Sequence, residues 1–375
     1  MHTTAEAVLL AVLMMLPLCA LTGPASAGGG KTPTDALPAW AMGPFVRLDK
    51  PVLSPTPNLT FRCPVSGRDV RWQSQNAFNP APVVKDGKVH LLFRCDDESW
   101  WERGEHRMPT CRIGLAWSLD GRLFTCHPSP VLFPANDEFK RYEWPGGCED
   151  VHIAEDGNGT YYLYYTTWNG QVDTMSVATS QDLLSWKKHG PVFAKLARDR
   201  VNGSRTGVVV TRLDKDGRLL PAKINGKFWM YYTHPSLLAE SENLIDWKPT
   251  GRGVWTEARN ANRPAAGSHE SGAIALLRDD GILLMFNGQN WGGVAHPAGG
   301  WSLGQALIDR NDLLTVIEYM ERPFLHAELA WEKEGYVPMT TVANGMVLFK
   351  REWLLYYGAA DHCIGLAVHR GSPWR

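Results

Sequence analysis

Polar and charged residues stand at the ends of otherwise apolar segments along this chain of 375 residues. Carboxyl and imidazole groups are the side chains that most often move protons in catalysis. Arginine and asparagine form directed hydrogen bonds to oxygen atoms of ligands. The residues in question are Asn79, Arg94, Asp96, Asp97, Glu149, Asp150, Thr167, Arg205, His234, Glu270, Asn287, Asn344 and Asp361.

The apolar segments form a hairpin pattern that recurs five times. In each copy a strand-like segment leads through a turn, rich in glycine or charge, into an aromatic-rich run. A repeated multi-strand unit that cannot bury its own faces is typical of a β-propeller. The sequence therefore predicts an all-β, five-bladed β-propeller. The aromatic-rich second strands are Val89–Arg94, Tyr161–Tyr165, Phe228–Tyr232, Ile282–Phe286 and Trp353–Tyr357.

This architecture predicts that the polar residues meet. The two strands of a hairpin are antiparallel, so the start of the first strand and the end of the second lie at the same end of the blade. The first strands of a propeller line its central channel. Five blades would then bring these ends to one mouth, and carboxylates, arginine, histidine and asparagine around a mouth suit a polyhydroxylated ligand.

The N-terminal segment and the net charge limit where the protein is expected to act and what it is expected to bind. Residues 1–27 are predicted to be a signal peptide cleaved near Ala27, because a short apolar run precedes a small-x-small site; a lipoprotein anchored at Cys19 is the alternative. Residues 28–57 form a leader rich in proline and glycine, and 58–375 the propeller. We expect a secreted or periplasmic protein without a membrane span. The formal net charge of −1 and the lack of a basic block argue against nucleic-acid binding.

The cysteine and histidine spacings predict no metal site and no cofactor. Six of the seven cysteines remain after cleavage, and none forms a CxxC pair or a zinc pattern. Export permits disulfides, so buried free thiols and one or two bridges both remain open.

Several short motifs, taken together, resemble those of glycoside hydrolase family 130, which comprises five-bladed enzymes that act on β-mannosides as phosphorylases or hydrolases. The resemblance spans about Asn76 to His369. The motifs are Asn79-Pro80-Ala81, Phe93-Arg94-Cys95-Asp96-Asp97, Glu149-Asp150, Leu220-Pro221-Ala222-Lys223-Ile224-Asn225-Gly226-Lys227 and Tyr356-Tyr357-Gly358-Ala359-Ala360-Asp361.

The resemblance implies Asp150 as the catalytic acid, although the family's Asp-Pro-Arg motif reads Asp150-Val151-His152 here. Of the phosphate-binding positions that it implies, Arg205 is kept, whereas His234 and Asn287 replace basic residues. Glu270 adds a carboxylate that would repel phosphate. We therefore expect an inverting hydrolase of β-mannoside-like linkages in oligosaccharides or polysaccharides, with Asp150 as acid and Glu270 as base.

Other readings remain open at this point. Asp150 could be structural, Glu270 could bind a sugar hydroxyl, and Glu149 or Glu257 could be the base. The chain could also be a phosphate-dependent β-mannoside phosphorylase, or a carbohydrate-binding propeller without catalysis. The expected substrate-binding residues are Asn79, Arg94, Asp96, Glu149, His152, Arg205, His234, Asn287 and Asp361.

Overall fold

The computed structural model describes residues 37–104, 106–194, 203–233, 236–257, 268–289, 291 and 299–371. The signal peptide and Cys19, and also His234, lie outside these residues. The first blade is preceded by three short strands, of which β2 and β3 pair as a hairpin. These strands are β1 (Val46–Arg47), β2 (Phe61–Arg62) and β3 (Asp69–Val70).

The first two blades are each a four-stranded antiparallel sheet. The first blade also carries an inserted hairpin between its second and third strands. Its strands are β4 (Asn76–Lys85), β5 (Lys88–Asp96), β8 (Arg112–Ser118) and β9 (Thr125–Cys126), with β6 (Trp100–Arg103) and β7 (His106–Pro109) as the insertion. After helix α1 (Lys140–Glu143), the second blade comprises β10 (Gly147–Glu155), β11 (Tyr161–Trp168), β12 (Asp173–Ser180) and β13 (Lys187–Pro191).

The third and fourth blades are joined at their inner strands, which pair in parallel. The third blade comprises β14 (Gly207–Leu213), β17 (Lys227–Tyr232), β18 (Leu237–Ser241) and β19 (Trp247–Gly253), with the short strands β15 (Leu219–Pro221) and β16 (Lys223–Ile224) and a 3₁₀ turn at Val254–Thr256. The fourth comprises β20 (His269–Arg278), β21 (Gly281–Gln289), β22 (Trp301–Ile308) and β23 (Val316–Tyr319).

The fifth blade closes the ring with a strand taken from the leader. After helix α2 (Ala330–Lys333) it comprises β24 (Thr341–Phe349), β25 (Glu352–Ala359) and β26 (Cys363–His369). Its outermost strand is β1, which pairs Val46 with Val368 and Arg47 with Ala367. The leader predicted over 28–57 thus supplies a propeller strand, because β26 would otherwise present an unpaired edge.

The prediction of an all-β, five-bladed propeller is confirmed, and the five aromatic runs form the second strands β5, β11, β17, β21 and β25. In the described part of the chain, a cluster of buried apolar side chains fills the interface between each pair of neighbouring blades. Each run therefore serves two interfaces, which is why it is apolar on both faces. No helix among the described residues is long and apolar enough to cross a membrane.

Three tyrosines of these runs also tie neighbouring blades together through their hydroxyl groups. Tyr164 donates to the carbonyl oxygen of Leu244 at 2.8 Å, and Tyr231 donates to that of Leu313 at 2.9 Å. Tyr356 donates to the carbonyl oxygen of Gly121 at 2.7 Å and so joins the last blade to the first. Each acceptor lies in the turn after the third strand of the next blade.

Replacing Tyr164, Tyr231 or Tyr356 with Phe should lower the free energy of unfolding by about 1–2 kcal/mol each, because a buried carbonyl loses its donor. Urea denaturation of each variant measures the change. Tyr162→Phe, on the same strand as Tyr164 but partly exposed, is the control and should change stability by less than about 0.5 kcal/mol. Equal stabilities for all four variants would contradict this role.

Candidate active site

The inner strands carry an irregularity at the mouth of the channel. The pairing register shifts between Phe78 and Ala81 in β4 and between Glu149 and His152 in β10. The residues at these bulges, Asn79 and Asp150, have positive φ angles of 46° and 42°. A β-bulge redirects a side chain out of the regular alternation. Asparagine and aspartate adopt this conformation more readily than other residues with a side chain, which suits them to these bulges.

Asp150 is the centre of the resulting cluster, with only 5% of its side chain exposed. Its Oδ1 accepts hydrogen bonds from Asn79 Nδ2 at 2.8 Å and from Arg94 Nη1 at 3.1 Å. Its Oδ2 accepts a short hydrogen bond from Arg205 Nη2. These three donors come from two strands of the first blade and from the segment that leads into the third.

Arg94 holds two neighbouring carboxylates with its two terminal nitrogens. While Nη1 contacts Asp150, Nη2 lies 3.2 Å from Glu149 Oε1. The guanidinium also lies over the ring of Phe78, at 4.8 Å from its centroid. The planar, forked geometry of arginine allows this double contact, which a lysine at the same position would not make.

Arg205 is surrounded by acidic side chains. Besides its contact with Asp150, its Nη2 lies 3.8 Å from Glu149 Oε2 and its Nη1 lies 3.5 Å from Asp173 Oδ2. Its Nε lies 3.8 Å from Glu270 Oε1. Arg205 therefore has carboxylates on all sides, while 28% of its side chain still reaches solvent.

The charges drive the pKa values of the two central carboxyl groups apart. Burial alone would raise the pKa of Asp150, but Arg94 and Arg205, together with the hydrogen bonds from Asn79 and Arg205, hold it well below its usual range. Burial dominates at Glu149 and raises its pKa, and the charge of Asp150 adds to this effect against the opposing Arg94. Neighbouring titratable groups with divergent pKa values are a mark of catalytic sites.

Two further residues that the sequence predicted for the site are under the same electrostatic field. Burial raises the pKa of Asp361 to about 7, where the charges of Arg94 and Arg205 oppose those of Asp150 and Glu270. Burial lowers the pKa of His152 to about 4, so its imidazole is neutral at neutral pH. The structure thus brings together Asn79, Arg94, Glu149, His152, Asp150, Arg205, Glu270 and Asp361.

Asp96 and Glu257 lie apart from this cluster. Asp96 is fully buried behind Arg94, where its Oδ1 accepts a hydrogen bond from Asn76 Nδ2 at 2.9 Å. Burial raises its pKa to about 7. Glu257, the alternative base, follows the outer strand β19 and forms an ion pair with Arg252 at 2.8 Å. Neither group contacts the carboxylates around Arg205 in the described part of the chain.

Asn287 was expected to bind substrate, but its surroundings give it a structural role. It is fully buried, and its Nδ2 donates to the carbonyl oxygens of Ser271 at 3.2 Å and Ala343 at 3.3 Å. Its Oδ1 accepts from the backbone N–H of Ala343 at 3.0 Å. The side-chain amide of Asn287 thus forms hydrogen bonds with the bulged inner strand of the next blade. These bonds need both a donor and an acceptor, which explains an asparagine in place of a basic residue.

Sequence reasoning missed Asp173 and Cys111. Asp173 begins β12 and contacts Arg205, and the thiol of Cys111, just before β8, lies beside Arg94 and Glu149. Both stand at the start of a third strand, which lies at the same end of a blade as the end of the second. Only first-strand starts and second-strand ends were predicted to reach the mouth, so Asp173 and Cys111 were not among the predicted residues.

The cysteines are free thiols throughout the described residues, which favours the buried-thiol alternative over disulfides. Five of the six are buried, and Cys126 is partly exposed. In the same ranges of the chain, no group of three or more His, Cys, Asp or Glu side chains is placed to hold a metal ion.

Comparison with known proteins agrees with this fold. A solved glycosyl hydrolase from Bacteroides ovatus is 37% identical, with a TM-score of 0.81 and coverage of 89% of this chain and 95% of that one. A second structure is described as "The GH130 family of mannoside phosphorylases contains glycoside hydrolases that target beta-1,2 mannosidic linkages in Candida mannan". It is 36% identical, with a TM-score of 0.81 and the same coverage.

A curated relative, the beta-1,2-mannobiose phosphorylase of Thermoanaerobacter sp. (strain X514), is 30% identical over 333 residues, which are 85% of this chain and 95% of the relative. Fold and site define a five-bladed propeller of the carbohydrate-active enzymes. The family model described as beta-1,4-mannooligosaccharide phosphorylase matches residues 53–371, and the chain belongs to glycoside hydrolase family 130.

Asn287→Ala should destabilise the fold without weakening substrate binding. The substitution leaves buried backbone groups of Ser271 and Ala343 unpaired, so the free energy of unfolding should fall by about 2–4 kcal/mol in urea denaturation. KM should stay within about threefold of the unmodified protein. Gln289→Ala, at the partly exposed end of the same strand, is the control. A large rise in KM with unchanged stability would restore Asn287 to the binding site.

Proposed function

We propose that this protein is an inverting glycoside hydrolase that cleaves β-mannosides, with β-1,2-linked mannosides as the first class to test. The observation that carries the proposal is the surroundings of Arg205. The basic residue kept from the expected phosphate site already faces Glu149, Asp150, Asp173 and Glu270.

Electrostatics explains why this arrangement favours water over phosphate. Around Arg94 and Arg205, four carboxylates face two guanidinium groups, so a phosphate dianion would enter a pocket with excess negative charge. Like charges within 4–6 Å repel strongly where water is excluded. Glu270 offers instead a carboxylate that could remove a proton from water, a neutral nucleophile.

Roles follow for the individual residues. Asp150 would protonate the leaving oxygen, directly or through a sugar hydroxyl, and Glu270 would take a proton from the attacking water on the opposite face. Asn79 and Arg94 orient Asp150 through the hydrogen bonds described above. Arg94 and Asp361 would also hold sugar hydroxyls, as charge-assisted hydrogen bonds are strong and directional. His152 would contribute a neutral imidazole to the same pocket. His234 stays a predicted ligand.

Phosphorolysis is the second candidate, and two observations favour it. Arg205 is partly exposed within the site and could meet an anion, and the curated relative described above is a phosphorylase. The proposal of hydrolysis rests on the carboxylates that would repel an anion near Arg205. It rests also on the likeness to a structure whose description names glycoside hydrolases that target β-1,2 mannosidic linkages. Secretion remains the prediction made from residues 1–27, and it would agree with a reaction that needs no phosphate.

The protein should release mannose from β-1,2-mannobiose at the same rate with and without inorganic phosphate, because the carboxylates around Arg205 exclude the dianion. Product analysis by anion-exchange chromatography distinguishes mannose from mannose 1-phosphate, and the ¹H NMR spectrum should show α-mannose first, as inversion requires. Mannose 1-phosphate as the main product would establish phosphorolysis instead. Binding of the disaccharide without turnover in either buffer would indicate a carbohydrate-binding propeller.

Asp150→Asn and Glu270→Gln should each lower kcat by at least about 10²-fold, since an amide can neither donate nor accept the required proton. Binding of mannobiose, measured by calorimetry, should change far less for either variant. Glu257→Gln is the matched control, because this glutamate pairs with Arg252 away from the cluster, and its kcat should be unchanged. A loss with Glu257→Gln but not with Glu270→Gln would overturn the assignment of the base.

A further inference from the structure

Glu149 and Asp150 are consecutive residues whose side chains lie side by side. In a regular strand, consecutive side chains point to opposite faces. The bulge in β10 and the positive φ of Asp150 remove this alternation. As a result, Arg94 contacts Oε1 of Glu149 at 3.2 Å and Oδ1 of Asp150 at 3.1 Å, and Arg205 Nη2 approaches both carboxyl groups. The two carboxyl groups therefore form a pair on shared arginines.

Together with Asp173 and Glu270, this pair has more negative charge than Arg94 and Arg205 can neutralise. Carboxylates outnumber guanidinium groups two to one in the cluster, and closely spaced carboxyl groups cannot all ionise. The excess charge therefore favours the protonated form of a buried carboxyl group in the site, and burial raises the pKa values of both Glu149 and Asp361. The charged and titratable groups that face Glu149 are Arg94, Arg205, Asp150, Cys111 and Tyr336.

The hydrogen bonds decide which member of the pair holds the proton. Asp150 accepts from three donors, and each of them favours its ionised form. Glu149 has one ion-pair contact at 3.2 Å and a second, longer one at 3.8 Å, in a site where 11% of its side chain is exposed. The directions of their pKa shifts, upward for Glu149 and downward for Asp150, agree with this geometry.

We propose that Glu149 is a positioning residue that stores the proton which Asp150 delivers to the glycosidic oxygen. The proposal rests on the hydrolase function above. When a sugar hydroxyl displaces Arg205 from Asp150, the proton moves from the Glu149 carboxyl to Asp150, which then protonates the leaving oxygen. Water attacks the anomeric carbon as the glycosidic bond breaks and loses its proton to Glu270. Release of that proton to solvent and reprotonation of Glu149 complete the cycle.

The test is Glu149→Gln, which keeps the shape and removes the transferable proton. β-1,2-Mannobiose has a poor leaving group that needs protonation, whereas the dinitrophenolate of 2,4-dinitrophenyl β-mannoside departs without it. The variant should lose about 10²-fold or more in kcat on mannobiose. On the dinitrophenyl substrate its kcat should change by less than about threefold. An equal loss on both substrates would mean that Glu149 only supports the structure, and the proposal would fail.

A double-mutant cycle tests whether Glu149 acts through Asp150. The Glu149→Gln/Asp150→Asn variant should be no slower on mannobiose than Asp150→Asn alone, because residues that act as a unit are non-additive. Losses that multiply would overturn the proposal. Glu143→Gln is the matched control, a second buried glutamate, which pairs with Lys188 at 2.6 Å outside the site. Its kcat ratio between the two substrates should equal that of the unmodified protein.

Three measurements keep the outcome interpretable. Glu149→Asp retains a carboxyl group, so it should recover at least about a tenth of the lost mannobiose activity, and no recovery in a folded variant would count against the proposal. Thermal denaturation of each variant reports whether it is folded. Phosphate-independent hydrolysis of the dinitrophenyl substrate by the unmodified protein tests the hydrolase function by itself, so failure of that function is distinguishable from failure of the role of Glu149.

Discussion

The site depends on one buried carboxylate held between two arginines. Asp150, from the second blade, contacts Arg94 of the first and Arg205 at the entrance to the third. Removing either arginine would leave this buried carboxylate with a single cationic partner, which destabilises the site because a buried charge depends on its ion pairs and hydrogen bonds. The same contact therefore joins three blades at the mouth and fixes the position of the group proposed to transfer the proton. In the proposed mechanism, Asp150 would exchange its contact with Arg205 for one with substrate before it transfers a proton, so the contact that stabilises the mouth would also oppose catalysis.

In the proposed function, the acidic groups around Arg205 would select water over phosphate as the nucleophile. A phosphate nucleophile needs positive charge that is not already paired with carboxylates. A water nucleophile needs a base that removes its proton and a pocket that positions it. Glu270 and Asp173 approach Arg205 from different blades, so replacing either charge would require no rearrangement of the strands. The propeller separates the two tasks, because its interblade clusters maintain the ring whichever charges stand at the mouth.

The sequence was sufficient for the repeat, the number of blades and most residues at the mouth, because alternating apolar strands and turn residues are local signals. Three features of the site could not be predicted from local sequence patterns. The charge state of Asp150 depends on Arg94 and Arg205, which are distant in sequence. The role of Asn287 depends on its contact with Ala343 in the next blade. The bulge that turns Glu149 and Asp150 towards the same arginine is a backbone conformation, and no single residue type encodes it.

The closure of the ring by β1 depends on strands that are synthesised much later than β1 itself. Val46 pairs with Val368, Leu53 bridges to Ile364, and Gln305 holds the backbone of Met42. During synthesis these leader residues appear first, yet their partners appear only after most of the chain has been made. A chain that stops early leaves both the leader strand and a blade edge unpaired, and such edges invite aggregation and proteolysis. Ring closure therefore has to wait until β26 has been synthesised.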